Sequence, residues 1–328
     1  MTEHKELTVG LIGTGGIMGW HIGNLKKVPG VTVGAMTDTS AESIANTKKR
    51  NPELANASEF ACHKEMLAQS KLDAVIICSP HADHYGQVID ALNAGCHVLV
   101  EKPFVSSVAQ AKKCIALSKK KKKTLMISYQ RHFDPKFRFM RNAVQSGRIG
   151  TVQQISSSLG QDWLKGTSGS WRQDPKKSCG GQLNDSGSHV VDIALWVTGL
   201  KPREVYANLN FCGSKVDINS AVTVKMEKDA VWTINVGGNT PGFWEYLFIA
   251  GDKGALFYEN GNLSMVEGRH RMKVESFGHY HDQTAGFFRA IRGQTPNEVP
   301  GEFGVLVTAL TQSAFRSAAI RKPVRISL

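Results

Sequence analysis

Between Leu7 and Ser128, short apolar runs alternate with amphipathic stretches of helical period. The pattern predicts strands over 7–12, 31–37, 73–78, 97–100 and 124–128, with helices over 20–27, 41–49, 84–93 and 108–121. Pro29-Gly30, Ala94-Gly95 and Glu101-Lys102-Pro103 punctuate the places where the chain must turn. Strand and helix alternating at this spacing read as βαβ units, hence a parallel sheet covered on both faces. Beyond about residue 130 the period changes. A basic helix over 135–145 ends at Gly147, and strand-like stretches follow at 152–159, 205–211, 220–226, 230–236, 246–250, 255–259 and 262–266. Gly, Asp and Asn bound these runs, as suits a largely antiparallel sheet. A helix over 187–198 interrupts them, and helices over 282–292 and 304–319 close the chain. The expected class is α/β: a doubly wound parallel sheet over 1–128, then an α+β domain over 129–328 built on a large, open, mostly antiparallel sheet.

Composition agrees with two domains. The 328 residues are 41% hydrophobic and 21% charged, which excludes a disordered or fibrous chain. No run reaches about 18 consecutive apolar residues, so no membrane span is expected. The polar start, Met1 to Glu6, suggests no secretory leader. Six scattered cysteines without a Cys-x-x-Cys pair suit free thiols and a cytoplasmic location, with no metal site. The net charge of +12 is local: between Gln110 and Gly150, twelve Lys and Arg face one acid, Asp134. Five of them, Lys119 to Lys123, fall where a helix ends and cations suit the carbonyl dipole. That reads as a solvated helix end, not a nucleic-acid groove, which would spread its charges and interleave aromatics.

Chemistry enters at the first turn. Gly13-Thr14-Gly15-Gly16-Ile17-Met18-Gly19 follows a strand and opens a helix, the context a dinucleotide-binding Rossmann turn needs. Bare backbone N–H groups there can receive a pyrophosphate at the positive end of a helix. The second strand then ends at Asp38, 25 residues after Gly13, where a carboxylate can bond the adenosine ribose. An acid at that point repels a 2′-phosphate, and Thr39 and Ser40 bring no arginine, so NAD is expected over NADP.

Three further segments sharpen the reading: Ser79-Pro80-His81-Ala82-Asp83-His84, Glu101-Lys102-Pro103-Phe104, and Gly180 through Asp185-Ser186-Gly187-Ser188-His189 to Asp192. Together with the glycine turn they resemble the Gfo/Idh/MocA family of oxidoreductases over essentially the whole chain. Two positions depart from the family pattern: Met18 stands where Gly or Ala is preferred, and His81 where Asn is frequent. The resemblance implies that Lys102 lies beside the nicotinamide and the reacting carbon, with Asp185 and His189 facing it from the second domain. It also implies cofactor contacts from Ser79, Pro80, His81, His84 and Glu101, a cis bond before Pro103, and pairing of the second-domain sheets into homodimers or homotetramers.

The chemistry fits these residue types. A histidine can take the hydroxyl proton as hydride leaves the carbon. A neighbouring ammonium stabilises the developing alkoxide. Asp185, four residues before His189, can share its face of a helix and orient the imidazole or bond the substrate. Lys102 as the base remains the alternative assignment. Further candidates for substrate are Arg131, Trp163, Trp171, Arg172 and His281, with Arg172 also a cofactor candidate. Arg131 reads equally as a surface ion pair, and the tryptophans either stack on a pyranose face or anchor their loops. The expected activity is NAD-dependent oxidation of a secondary hydroxyl of a sugar, inositol or related polyol. The alternatives are an NAD-dependent glycosidase working through transient oxidation and elimination, and a non-catalytic NAD sensor.

Overall fold

A computed structural model describes residues 6–278 and 282–328. In chain order the elements are β1 (Leu7–Ile12), α1 (Gly16–Leu25), β2 (Val31–Thr37), α2 (Ala41–Arg50), β3 (Ser58–Phe60), α3 (His63–Gln69), β4 (Ala74–Ile77), α4 (His84–Asn93), β5 (His97–Val100), α5 (Val108–Lys121) and β6 (Leu125–Ile127). Then come α6 (Pro135–Gln145), β7 (Val152–Gly160), α7 (Trp163–Gly166), α8 (Pro175–Ser178), α9 (Gly187–Thr198), β8 (Pro202–Asn210) and β9 (Asn219–Met226). The remainder are β10 (Val231–Gly237), β11 (Trp244–Gly251), β12 (Gly254–Glu259), β13 (Asn262–Glu267), β14 (His270–Lys273), α10 (Gln283–Ile291), α11 (Gly301–Ile320) and β15 (Val324–Arg325). They form two compact units, Met1–Gln130 with His281–Glu302, and Arg131–Tyr280 with Phe303–Leu328. The chain thus leaves the first unit two residues beyond the boundary read from the pattern and later returns to it. That return carries α10, a helix whose period cannot show which sheet it serves.

The first unit is a six-stranded parallel sheet in the order β3-β2-β1-β4-β5-β6. Ala74 to Ile77 and Val98 to Val100 are fully buried, which is why β4 and β5 read as unbroken apolar runs. Ser40 and Ser107 cap α2 and α5 by accepting N–H bonds from Ser43 and Gln110. The basic block closes α5 with Lys119, Lys120 and Lys121 in its last turn and Lys122 in the left-handed conformation. Lys119 there pairs with Glu302, both exposed. The hydrophobic pattern does not show β3 and α3, because β3 is a three-residue edge strand with no fully buried side chain.

The second unit holds nine strands in the order β14-β13-β12-β11-β7-β10-β9-β8-β15. Every pairing is antiparallel except β7 with β10. Along β9 and β10 alternate residues are buried, Val222, Val224, Trp232 and Ile234 among them, while Ala221, Thr223, Val231 and Thr233 are exposed. One sheet face is therefore covered by helices and the other is open within the chain. Helix α9 is almost wholly buried, and His132 bonds Asp192 on it at 2.8 Å while stacking on Trp196. By length and composition α11 alone among the described helices could cross a membrane, but Val307, Ala309, Leu310 and Ala314 are buried in this core.

Candidate functional site

The glycine turn is built for close approach. Gly13 has φ +81°, and a Cβ there would lie 2.8 Å from the backbone of Cys78 and Ser79, so no other residue fits without displacing the segment that follows β4. Gly15 and Gly16 look onto open space, where an added Cβ meets nothing within 4 Å. The α1 N-terminus has no side-chain cap and no acid in its first turn; the Met18 N–H turns back to the Gly15 carbonyl at 3.1 Å, and no side chain caps the N–H groups before it. Ile17 points outward and Met18 is fully buried, so the bulk at this departure from the family pattern goes into the core, away from the turn. Asp38 accepts N–H bonds from Thr14 at 2.7 Å and Ser40 at 2.9 Å and takes the Thr14 hydroxyl at 3.1 Å; Thr39 is exposed beside it. An open N–H cradle with an anchored carboxylate at its rim has the shape and charge to receive a dinucleotide, and Gly13, Gly15, Gly16, Ile17 and Asp38 are the residues that could hold it.

At the end of β5 stands the Lys102 turn, with a cis Lys102–Pro103 bond as the resemblance implies. The Glu101 carboxylate, 8% exposed, accepts His21 Nε2 at 2.8 Å, Ser128 Oγ at 2.5 Å and the Lys102 N–H at 3.2 Å. Gln283 Nε2, from α10, donates in turn to Ser128 Oγ at 2.6 Å. Burial pushes Glu101 upward, but the His21 hydrogen bond and charge, with Ser128 and Lys102, outweigh it and hold the carboxyl below its ordinary value. On the other side of the turn His84, fully buried, places Nδ1 2.9 Å from the Pro103 carbonyl and Nε2 3.0 Å from the Ser79 carbonyl. Burial lowers its pKa against these carbonyls. His84 therefore sits between the Ser79 and Pro103 segments, its one neutral imidazole N–H donating to one of the two carbonyls. Ser79 is nearly buried and donates to Gln87, Pro80 is half-buried, and the nearly buried His81 meets His84 edge-on. The Cys78 sulfur lies within 4.8 Å of His21 and Glu101 ligand atoms. Burial and the Glu101 charge push its thiol well above the ordinary value, while His21 and Glu101 bond each other.

In the second unit, Asp185 lies in the turn that leads into α9, two residues before the helix begins, and His189 lies in the first turn of that helix. Asp185 is 5% exposed, and its Oδ2 accepts Trp163 Nε1 at 2.9 Å and Arg172 Nε at 3.1 Å. Trp163, 3% exposed, is thus a loop anchor acting through Asp185, packed with Val216 and Ile218 rather than offering a ring face to a sugar. Trp171 is half-buried with the Arg172 guanidinium over its ring at 4.6 Å. Arg131 pairs with Glu245, which also accepts the Tyr258 hydroxyl at 2.6 Å, so its charge is matched inside the unit. His281 falls outside the described residues.

The pattern reading missed the residues that hold these groups in place. Buried Asp217 accepts the Gly181 N–H at 2.6 Å and the Leu183 N–H at 2.9 Å, clamping the segment that presents Asp185. Burial raises its pKa, and those N–H bonds oppose the rise. Gly181 cannot be larger, since a Cβ would fall 2.0 Å from the Asp217 carbonyl oxygen. No local signal marks Asp217. His21 had one, a lone imidazole three residues after Met18 on the buried side of α1.

Comparison with known proteins fits this geometry. Residues 7–129 match the model of an oxidoreductase family with an NAD-binding Rossmann fold, and 137–257 match the GFO/IDH/MocA C-terminal domain. The uncharacterized oxidoreductase YrbE of Bacillus subtilis is 27% identical over 98% of this chain and 97% of its own length. The myo-inositol 2-dehydrogenase of Thermotoga maritima is 25% identical, covering 98% of each. The WlbA dehydrogenase of Bordetella pertussis, solved with NADH and UDP-GlcNAcA, superposes with a TM-score of 0.86 at 22% identity over 99% of this chain and all of that one. With both halves matched in order and the open glycine cradle in place, the chain belongs to the Gfo/Idh/MocA family and is an NAD-binding oxidoreductase.

Proposed function

We propose that this oxidoreductase removes hydrogen from a secondary hydroxyl of a sugar, inositol or related polyol, with NAD as the acceptor. The observation that carries the reading is the Lys102 turn: an ammonium-bearing residue at the carboxyl end of the parallel sheet, its backbone held by Glu101 on one side and His84 on the other. The inositol 2-dehydrogenases among the relatives supply the substrate class. When bound, the nicotinamide accepts the hydride. His189 takes the hydroxyl proton, and the Lys102 ammonium stabilises the negative charge growing on that oxygen. Asp185, with its charge matched by Arg172, orients the imidazole or bonds a neighbouring hydroxyl. Trp171 and Arg172 line the substrate side, and Asp38 disfavours the 2′-phosphate of NADP. The open face of the second-unit sheet is proposed to pair copies of the chain into a homodimer or homotetramer, which light scattering reads directly.

The test is a panel of polyols, sugars and sugar acids incubated with NAD and with NADP, following the near-ultraviolet absorbance of the reduced cofactor. Reduced NAD accumulates with at least one polyol, and Lys102→Met lowers that rate about a hundredfold or more while NAD still binds. A protein that binds NAD yet reduces it with no member of the panel overturns the reading. Release of an aglycone from a glycoside without net reduced cofactor would replace it with the glycosidase alternative.

A further inference from the structure

The Lys102 turn rests on side chains that the proposed chemistry does not itself use. Oxygen Oε1 of Glu101 takes the His21 imidazole and the Ser128 hydroxyl, and Oε2 takes the Lys102 N–H. These partners come from α1, the end of β6 and the turn itself, and Gln283 at the start of α10 extends the chain of bonds by one more link. His21 and Ser128 are essentially inaccessible to solvent. We propose that His21 and Ser128 are positioning residues: they hold the Glu101 carboxylate against the Lys102 N–H and so set where the Lys102 side chain is presented. The inference rests on the dehydrogenase reading of Lys102.

The physical argument concerns freedom of motion. A lysine side chain has four rotatable carbon–carbon bonds, and its ammonium can be placed reproducibly only from a fixed backbone. Glu101 fixes the N–H side of that backbone and His84 the carbonyl side, through Pro103 and Phe104. A carboxylate serves this purpose best while ionised, because protonation turns one of its acceptor positions into a donor that His21, Ser128 and the Lys102 N–H cannot use. The titratable groups around Glu101 are His21 on α1, Cys78 at the end of β4, His84 on α4 and Lys102 itself. Cys78 is a neutral thiol and contributes no charge. His21 supplies the strongest opposition to burial, so its loss moves the Glu101 carboxyl upward, and infrared spectra read whether that rise brings a proton.

The experiment uses the full chain and needs no substrate in its first arm. Infrared spectra at neutral pH compare the wild type with His21→Leu, His21→Gln and Ser128→Ala, and Glu101→Gln identifies the carboxyl band. A protonated-carboxyl band is expected in His21→Leu, absent from the wild type, and weaker in His21→Gln, whose amide N–H restores the hydrogen bond without the charge. In the polyol assay, His21→Leu loses about tenfold in kcat at unchanged KM for NAD, and its acid limb moves to higher pH. His21→Gln recovers most of the loss. A merely structural role predicts a lower melting temperature and a smaller active fraction, with no new band and an unmoved pH profile. If His21→Leu does not fold, Ser128→Ala carries the same comparison with one hydrogen bond removed. No carboxyl band in any folded variant, or full turnover in Glu101→Gln, overturns the proposal. If the wild type is silent on every polyol, the dehydrogenase reading falls and the infrared arm alone decides whether His21 governs Glu101.

Discussion

Replacing Asp217 tests whether a residue remote from any chemistry holds in place the second-unit segment that carries Asp185. Its carboxylate accepts the N–H groups of Gly181 and Leu183, at 2.6 and 2.9 Å, inside a buried pocket of backbone. Asp217→Ala leaves both donors without a partner where water does not reach. Each stranded buried donor costs about 1–3 kcal/mol, so the variant is destabilised by roughly 2–6 kcal/mol. For a unit of this size a kilocalorie lowers Tm by about 2–4 °C, which makes a fall of roughly 10 °C the central expectation. Asp217→Asn has the same shape but turns an amide N–H toward one of the two donors, so it loses about half as much. Scanning calorimetry reads the order wild type, Asn, Ala. The released segment carries Asp185, and a displacement of about 1 Å there costs on the order of a hundredfold in kcat/KM. NAD affinity, measured by titration calorimetry, stays at the wild-type value, because the glycine cradle belongs to the other unit. Asp217→Ala with a Tm within about 2 °C of the wild type would refute the clamp.

Other expectations follow from the first unit. Gly13→Ala strains a φ of +81° and drives its Cβ against the Cys78–Ser79 backbone; titration calorimetry is expected to show NAD affinity down by about tenfold or more. Asp38→Ala removes the acceptor for two backbone N–H groups and the repulsion of a 2′-phosphate, so the ratio of NADP to NAD affinity rises as NAD binding weakens. Glu101 has a folded-state pKa below its ordinary value of 4.5, so its ionised form contributes stability above that pH and loses it as the pH falls through the folded value. Urea midpoints of Glu101→Gln therefore lie furthest below the wild type near neutrality, and the gap narrows in acid.

Much of this protein could be read from residue order alone. Strands β1, β2 and β5 and helices α4, α5, α6 and α9 stand where the periodicities put them, because burial on two faces, on one face or on one helical stripe leaves a local mark. The glycine turn and Asp38 were equally visible, since a strand, a tight turn and a helix N-terminus are contiguous. Local order could not show what holds the chemistry still. His21, Ser128 and Gln283 meet at Glu101 from positions 80, 27 and 182 residues away along the chain, with Gln283 reaching it through Ser128, and Asp217 reaches Gly181 across 36. Nor could it show that Trp163 is an anchor, or that α10 packs back into the first unit. Periodicity records which side of an element is buried, but a hydrogen bond between distant residues depends on which elements become neighbours, and only the packed chain decides that.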